Sequence, residues 1–322
     1  MSATSKANAN IAFIKYWGNQ DSALRLPVNP SLSMNLDGVF TRTTVTWATD
    51  QKSDTLLLNG TAQTGMALQR VSQHLDLLRA RLGITGAAAV ESANNFPMGT
   101  GIASSASSFA ALTVAAVAAA GLTLSERELT TLARIGSGSA ARSVPTGFVE
   151  WYTGDTHEAS YAESIAAPTH WDLVDVIAIV SEAHKAVGSK EGHETAHSSD
   201  LQLARVHGAA ERLRICKTAI MARDFATFAE VVEQDSNLMH AVMMTSRPPL
   251  FYWLPATLSI MQRVRAWRAD GLNVCYTLDA GPNVHCICTA DSAEQVRSGL
   301  AQMPGVQEVR SAAPGGGATL EA

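Results

Sequence analysis

The sequence has little cysteine, no excess of positive charge and no dense basic run. Its four cysteines among 322 residues are too sparse for a disulfide framework, and no second Cys/His pair has the spacing of a metal site, so buried thiols are the favoured interpretation. The formal net charge of −5 disfavours nucleic acid as the main partner, although local groups can still bind small anions. The cysteines are Cys216, Cys275, Cys286 and Cys288.

The sequence also lacks an export signal and a run long enough to span a membrane. The first ten residues are polar and contain no apolar core. The longest apolar run, Phe109–Gly121, is too short to cross a bilayer. We therefore expect a soluble, cytoplasmic protein without a membrane partner. A content of 46% hydrophobic and 16% charged residues indicates a globular chain with a large core, and the length allows two domains.

Residues 95–108 combine glycine with several serines and precede an apolar helix that the pattern predicts over Phe109–Ala120. A Walker loop is excluded because this stretch contains no lysine. A dinucleotide-binding fingerprint is disfavoured because Pro97 and its polar neighbours separate the glycines from the preceding apolar segment. Exposed backbone N–H groups and the helix N-terminus favour an anion, most plausibly a nucleotide phosphate. Alone, the stretch is equally typical of a flexible loop before a core helix.

Two segments place a cation beside an apolar or small-residue run. Lys15 and the Tyr16 hydroxyl follow an apolar, strand-like segment and could contact an anionic substrate, although aromatic residues there more often serve packing. The segment Gly136–Arg142 holds two glycines and two serines, so its backbone could surround an anion while Arg142 grips a carboxylate in a bidentate fork. The alternative is a loop with a surface arginine.

Two more segments carry a polar group after a predicted strand. Ser189–His193 places Lys190 among small residues, which suits a phosphate and a solvated basic loop equally well. Asp279 follows the strand-like run Val274–Leu278 and precedes Gly-Pro, so it is either a turn residue or a catalytic carboxylate. Together with residues 95–108, these four segments suit ATP-dependent chemistry on an anionic substrate that carries a carboxylate.

The apolar pattern predicts strands and helices without strict alternation, which indicates α+β layers. Ser125 and Glu128 form a capping box at the start of one predicted helix. The polar stretch 181–200 is predicted to be a loop and the domain boundary. The tail Pro314–Gly317 is predicted to be flexible in isolation. Further helices are predicted over 67–82, 203–223, 225–244 and 256–269.

The same segments, in the same order, resemble the motifs of the GHMP superfamily of small-molecule kinases and, within it, the mevalonate diphosphate decarboxylases. The resemblance rests on Asn10–Gly18, Phe96–Ser108, Gly136–Trp151, Gly188–Gly192 and Asp279–Asn283. It implies an α+β GHMP kinase fold, with a ribosomal-S5-like N-terminal domain over 1–183, a ferredoxin-like C-terminal domain over 184–322 and the active site in the cleft between them. It further implies ATP, Mg²⁺ and a homodimer.

The resemblance also implies roles for individual residues. Asp279 matches the essential acid and Arg142 the arginine that binds the substrate carboxylate. Ser105 would in addition contact Mg²⁺. The matched substrate-binding positions are Lys15, Tyr16, Trp17, Gly18, Asn19, Ser137, Gly138, Ser139 and Lys190. The matched ATP-binding positions are Pro97, Gly99, Gly101, Ala103, Ser104, Ser105, Ser107 and Ser108.

The chain departs from the diphosphate enzymes at the phosphate end of the site. Asn19 stands where their opening motif has a lysine, which removes a charge-assisted contact worth roughly 1.5–3 kcal/mol. Thr61 stands where some members have arginine, and Lys190 where many have threonine. This pattern favours one phosphate rather than two, and hence the phosphomevalonate decarboxylase branch, which converts mevalonate 5-phosphate to isopentenyl phosphate. The alternatives are a diphosphate-specific decarboxylase, a mevalonate-type 3-kinase and a ligand-binding module without activity.

Overall fold

The computed structural model describes residues 1–48, 51–96, 104–181 and 188–321. Within them, a large mixed sheet is built on two long antiparallel strands, β1 (Ser2–Ile14) and β4 (Ser31–Ala48). A short hairpin, β2 (Asn19–Asp21) with β3 (Leu26–Pro27), lies between them in the chain. The sheet's other strands are β5 (Thr55–Leu58), β6 (Thr61–Ala62), β7 (Ala87–Asn94), β8 (Phe148–Trp151), β9 (Ala162–Ala166) and β14 (Thr319–Glu321).

Three helices cover one face of this sheet: α1 (Gly65–Leu82), α2 (Ser104–Ala119) and α3 (Glu126–Gly136). Helix α2 is apolar on nearly all sides, as expected of a helix enclosed by other elements. The predicted capping box of α3 is confirmed, because the Glu128 carboxylate accepts the Ser125 N–H at 2.8 Å while the Ser125 hydroxyl accepts the Glu128 N–H. These helices fix the N-terminus of α2 against the segment that follows α3.

A second sheet is antiparallel throughout and has the strand order β11–β12–β10–β13. Its strands are β10 (Leu173–Ile179), β11 (Val274–Thr277), β12 (Val284–Thr289) and β13 (Glu308–Ala312). Helices α8 (Pro255–Ala269) and α9 (Ala293–Ala301) pack on one face, and α6 (Ala209–Ala222) and α7 (Phe225–Thr245) on the other. The α+β prediction is therefore confirmed. The boundary at 183/184 stays a prediction, and the pairing of β10 with β12 and β13 favours an earlier point, between β9 and β10.

One apolar cluster joins the two sheets and decides where β1 ends. Ile11 and Phe13 of β1 are fully buried against Ile177 of β10 and Phe228 of α7. The Phe13 and Phe228 rings meet edge to face with centroids 4.9 Å apart. Burying each such side chain stabilises the fold by roughly 1.5–3 kcal/mol. Residues 15–19 consequently leave β1 at the junction between the two sheets.

The structure differs from the sequence-based predictions in three places. The stretch 181–200 is not all loop, since it holds α4 (Ser189–Thr195) and a short 3₁₀ turn. The helix predicted over 203–223 is interrupted at Gly208, which separates α5 (Gln202–His207) from α6. Helical spacing continues across such a break, so periodicity alone does not reveal it.

The third difference is the tail 314–317, which is predicted to be flexible in isolation but is held by hydrogen bonds to the rest of the fold. The Gly315 N–H donates to the Asn35 carbonyl at 2.7 Å, and the Asn8 side-chain amide donates to the Gly316 carbonyl at 3.0 Å. Glycine allows this close approach, because a Cβ on Gly315 would lie 2.6 Å from the Asp37 nitrogen. The tail thus carries the chain back to β14 beside β1. No helix in the described part of the chain is both long and apolar enough to span a bilayer.

Candidate active site

The centre of the candidate site is an ion pair between a buried lysine and a partly exposed aspartate, which come from the two halves of the chain. Lys15 directly follows β1, and its side chain is only 1% exposed. Its Nζ donates to Oδ1 of Asp279, which lies just beyond β11, at 2.7 Å. Burial lowers the pKa of Lys15, whereas the Asp279 carboxylate raises it. Two residues that are 264 positions apart therefore neutralise each other in one place.

The surroundings of the Asp279 carboxyl favour its ionised form. Burial by itself raises the pKa of this carboxyl, but Lys15, His285 and Arg142 together lower it below its ordinary value. The position of the residue is fixed through the backbone, because the Ser236 hydroxyl of α7 accepts the Leu278 N–H at 3.0 Å. Of the two interpretations that the sequence left open for Asp279, the charged environment favours a catalytic carboxylate over a simple turn residue.

Arg142 lies in a 3₁₀ helix, Gly138–Ser143, and is buried close enough to Asp279 for the two charges to interact. It donates to the Ser31 hydroxyl at 2.6 Å and to the Asn10 side-chain oxygen at 3.3 Å. Its Nε is buried and has no hydrogen-bond partner among the residues that the structure describes. Burial lowers the pKa of Arg142 to about 10, so the side chain remains a cation at neutral pH. A buried guanidinium with a spare donor is suited to a carboxylate or phosphate ligand.

A set of buried charges that the sequence analysis missed holds the backbone of residues 15–17. The Lys15 N–H donates to Asp235 of α7 at 2.6 Å, and Arg212 donates to the same carboxylate at 2.7 Å. Arg205 donates to the carbonyls of Lys15, at 2.6 Å, and Trp17, at 3.2 Å. Charged side chains are seldom fully buried unless paired. The sequence offers a weak signal for these residues, a polar group at a core-facing position of each helix, which becomes specific only when the helices are packed.

A chain of hydroxyl groups connects the predicted ATP segment with the predicted substrate segment. The Ser105 hydroxyl, on the first turn of α2, lies 3.0 Å from that of Ser137, which in turn lies 3.4 Å from that of Ser139. Ser107 is instead fully buried, and its hydroxyl lies 2.7 Å from that of Thr41. The Ser108 hydroxyl also approaches Thr41, at 3.4 Å.

Some of the predicted ATP-binding positions cannot be placed. Pro97, Gly99, Gly101 and Ala103 lie outside the described residues, as does the side chain of Ser104. The backbone of Ser104 begins α2, so the helix N-terminus that the sequence analysis associated with an anion lies beside the hydroxyls of Ser105 and Ser137. All the ATP-binding assignments remain predictions.

A cavity of about 170 Å³ opens beside the N-terminal turn of α2. Its wall is largely apolar, with polar groups from Ser105 and Ser108 on one side and Arg70 of α1 on another. A cleft with this mixture of apolar wall and few polar groups is typical of a small-molecule or cofactor site. Other lining residues are Thr43, Leu56, Leu58, Ala67, Val71, Val90, Ser92, Phe109 and Leu112.

The segment 16–19 presents both polar and packing groups. The Tyr16 hydroxyl donates to the Asn19 side-chain oxygen, and the Tyr16 ring leaves no room for a side chain at Gly138, whose Cβ would lie 2.8 Å from the Tyr16 oxygen. Burial raises the pKa of Tyr16 to about 12, so the phenol stays protonated at neutral pH. Trp17 is 2% exposed and packs in an apolar cluster with Met239. This is the packing alternative that the sequence left open for the aromatic pair.

Two further predicted positions remain to be placed. Gly18 adopts a φ of +98°, and its N–H donates to Nδ1 of His193 on α4 at 2.9 Å. Lys190 lies on the same helix, although its side chain is outside the description. The structure thus brings α4 against the segment 16–18, although the sequence analysis did not assign His193 to the site.

Comparison with known proteins shows which family this chain resembles. Residues 7–162 match the family model described as diphosphomevalonate decarboxylase-like N-terminal domain, and residues 175–314 match that of the mevalonate 5-diphosphate decarboxylase C-terminal domain. The diphosphomevalonate decarboxylase of Aspergillus fumigatus is 40% identical over 303 residues, which cover 87% of this chain and 75% of that protein.

Solved structures agree with these matches. A structure described as MDDEF in complex with MVAPP, AMPPCP and magnesium is 35% identical, with a TM-score of 0.95 over 100% of this chain and 99% of that one. The mevalonate diphosphate decarboxylase of Staphylococcus aureus is 34% identical, with a TM-score of 0.95 over 100% of this chain and 98% of that one. The two-domain α+β architecture predicted from the sequence is therefore confirmed.

The assignment to a monophosphate branch is wrong, since the matching family models and relatives carry the diphosphate name. The number of phosphates was inferred mainly from one position, at which this chain has Asn19 and the family has lysine. Hydroxyl groups, backbone N–H groups and more distant cations also bind phosphate, so one neutral side chain does not set the number of phosphates. Arg25, for example, lies near enough to the Tyr16 hydroxyl to lower its pKa against the larger effect of burial.

Proposed function

The chain belongs to the diphosphomevalonate decarboxylase family, and on that premise we propose that it converts mevalonate 5-diphosphate to isopentenyl diphosphate with ATP. ADP, phosphate and CO₂ are the other products. The observation that carries the proposal is the Lys15–Asp279 ion pair, in which Lys15 is buried and Asp279 is partly exposed, with Arg142 beside it. This arrangement presents an ionised acid and a guanidinium to the same volume, as a tertiary alcohol with a neighbouring carboxylate requires.

In this proposal, Asp279 accepts a hydrogen bond from the C3 hydroxyl and directs its oxygen at the γ-phosphate of ATP. Lys15 keeps Asp279 ionised and in place, since its Nζ holds one carboxylate oxygen and leaves the other to the substrate. Arg142 holds the substrate carboxylate through its spare Nε. Once the C3 oxygen carries the phosphoryl group it departs as phosphate, and the electron pair of the breaking bond to the carboxylate forms the alkene as CO₂ leaves.

ATP would lie between the cavity beside α2 and the hydroxyl chain. The apolar wall of the cavity suits a base, and the N-terminus of α2 with Ser105 suits phosphate oxygens. Residues 1–48, 51–96, 104–181 and 188–321 hold no group of three or more His, Cys, Asp or Glu side chains arranged for a metal. The Ser105 hydroxyl fits Mg²⁺ as a ligand, because Mg²⁺ binds largely through phosphates and water and needs few protein oxygens. When bound, Mg²⁺ neutralises charge that develops on the transferring phosphoryl group.

Side-by-side kinetics with mevalonate 5-diphosphate, mevalonate 5-phosphate and mevalonate test the proposal. We expect kcat/KM to be highest for the diphosphate, with ADP and CO₂ released in equal amounts. Release of ADP without CO₂ would instead identify a kinase. Faster turnover of the monophosphate, or no turnover of any of the three, would contradict the proposal.

The resemblance also predicts a homodimer. Sedimentation equilibrium of the purified chain would check this, with a mass twice 34.0 kDa as the expected result.

A further inference from the structure

His193 makes close contacts with the segment that follows β1, although it lies on a separate helix. Its Nδ1 accepts the Gly18 N–H at 2.9 Å. Its ring lies against the Tyr16 ring, with centroids 4.1 Å apart, and against the Trp17 ring, with centroids 4.5 Å apart. One imidazole thus touches three consecutive residues of the predicted substrate-binding motif.

The surrounding packing leaves this contact little freedom. The φ of Gly18 is +98°, and a Cβ there would lie 2.6 Å from the Gln202 side chain, so no other residue fits without displacement. A Cβ on Gly192 would lie 2.5 Å from the Trp17 ring, which shows how closely α4 approaches this segment. The Gly18 N–H is buried and needs an acceptor, and His193 supplies it.

Only an imidazole with an unprotonated Nδ1 can accept this hydrogen bond. A neutral histidine with its proton on Nε2 has a free acceptor at Nδ1, whereas the imidazolium donates from both nitrogens and has none. Histidine is also the side chain whose ordinary pKa, about 6.5, lies in the physiological range. Protonation would therefore replace an acceptor by a donor opposite the Gly18 N–H.

Other ionisable groups lie around this contact. Burial raises the pKa of Tyr16 to about 12. Arg25 of the β2–β3 turn interacts with Tyr16 and with Glu194 of α4, and burial lowers its pKa from a very high ordinary value. Glu191 of α4 interacts with Tyr252, whose pKa is raised by burial. Lys15 points to Asp279 on the other side of the segment.

We propose that His193 is a positioning residue for the substrate, which fixes residues 16–18 through the Gly18 N–H and releases them when its ring is protonated. The proposal rests on the function proposed above, because residues 16–19 are taken to bind the phosphate end of the substrate. It predicts that the substrate binds more weakly in acid while the chemical step is less affected. The cause is loss of the ordered segment, not loss of a direct ligand.

Two substitutions test the acceptor. In His193→Asn, the side-chain oxygen can take the place of Nδ1 and does not titrate, whereas His193→Leu removes the acceptor. The measurement is kcat and KM for mevalonate 5-diphosphate between pH 5.5 and 8.5 at saturating ATP. We expect the ratio of wild-type KM to His193→Asn KM to rise by up to about fivefold from pH 7.5 to 5.5, because acid removes the Nδ1 acceptor but leaves the amide oxygen of the variant. The substrate's own phosphate titration cancels in this ratio.

The other variant and a control complete the set. His193→Leu should have a KM about fivefold above that of His193→Asn at every pH, with kcat changed less than threefold, since one buried hydrogen bond is worth about 1 kcal/mol. His207→Asn, at an exposed position on α5, should keep the wild-type profile. A KM ratio that is flat with pH, or a His193→Leu enzyme with wild-type KM, would overturn the proposal.

A measurement on the unaltered protein separates this proposal from the proposed function and does not need the variants to fold. The ¹⁵N and ¹H signals of the His193 ring and the Gly18 amide should titrate with one common midpoint. Added mevalonate 5-diphosphate should lower that midpoint, because the ligand favours the neutral ring. Separate midpoints, or a ring protonated on Nδ1 at pH 8, would overturn the proposal. A common midpoint in a protein that neither binds nor turns over the diphosphate would contradict the proposed function alone.

Discussion

Asp279 and Arg142 bring full charges to the candidate site, whereas Ser105, Ser137 and Ser139 bring a chain of neutral hydroxyls. At the acid end, each charge lies close to an opposite one supplied by a distant part of the chain. At the predicted phosphate end, the Ser105 and Ser137 hydroxyls and a helix N-terminus offer partial charges from two segments 32 positions apart. Removing one of two paired buried charges costs far more than removing one neutral hydrogen bond. Substitutions should therefore act unequally at the two ends.

The largest effect is expected at Asp279. Asp279→Asn keeps the shape but removes the charge that orients the C3 hydroxyl, so kcat should fall about 1,000-fold while KM changes little. Steady-state assays of ADP and CO₂ would measure both parameters. Asp270→Asn, an exposed substitution after α8, is the matched control and should be silent. An Asp279→Asn enzyme with near-normal kcat would show that the Asp279 carboxylate is not needed for catalysis.

Arg142→Ala should lower kcat/KM about 100-fold through both parameters, since a charge-assisted hydrogen bond to the substrate carboxylate is worth roughly 1.5–3 kcal/mol. Arg142→Lys should recover only part of this loss, because an ammonium cannot form the planar fork. Arg297→Ala, on the exposed surface of α9, is the control. Equal KM values for Arg142→Ala and the wild type would exclude a role in substrate binding.

Lys15→Met tests whether the ion pair keeps Asp279 charged. Lys15 lowers the pKa of Asp279, so its loss raises that pKa and moves the acid limb of the kcat/KM profile to higher pH. At neutral pH, we expect a loss of about 30-fold, equivalent to about 2 kcal/mol. The measurement is the full pH–rate profile, with the melting temperature followed in parallel. An unmoved acid limb would mean that Arg142 and His285 alone set the charge state.

The smallest effects are expected at the serines, and they should separate binding from folding. Ser105→Ala should raise the KM for ATP about fivefold, within the range of one hydrogen bond. Ser107→Ala should leave that KM unchanged and lower the free energy of unfolding by about 1 kcal/mol, because the Ser107 hydroxyl is buried against Thr41. ATP kinetics and urea unfolding of both variants would show the contrast. The reverse pattern would mean that Ser107, rather than Ser105, serves the nucleotide.

Local signals were predictable because each depends on neighbouring residues. The capping box at Ser125 and the apolar helix that ends at Ala119 follow from short-range spacing. The order of five motifs indicated the family. The chemical character of Asp279 and Arg142 could be read from residue type, although only the resemblance gave each a role.

Other features could not be read locally. Nothing near Asp235, Arg205 or Arg212 in the sequence indicates that their charges meet under the backbone of Lys15, since the partners are 23 to 220 positions apart. The composition of the tail 314–317 predicts flexibility in isolation, because the hydrogen-bond partners that hold it lie far away in the sequence. The replacement at position 19 misled for the same reason, because the other groups around a phosphate are not its sequence neighbours.

The sequence by itself determined the layered α+β class and the apolar character of α2, and it predicted an anion site before α2 and the acid and guanidinium of the candidate site. Those depend on periodicity, backbone exposure and ionisable groups, all of which are local properties. Only the tertiary structure decided that Lys15 neutralises Asp279, that Ser105 joins Ser137 and that His193 reaches Gly18. Coulombic and hydrogen-bond energies depend on distance in space, and the packing of β1 between two sheets is what sets those distances.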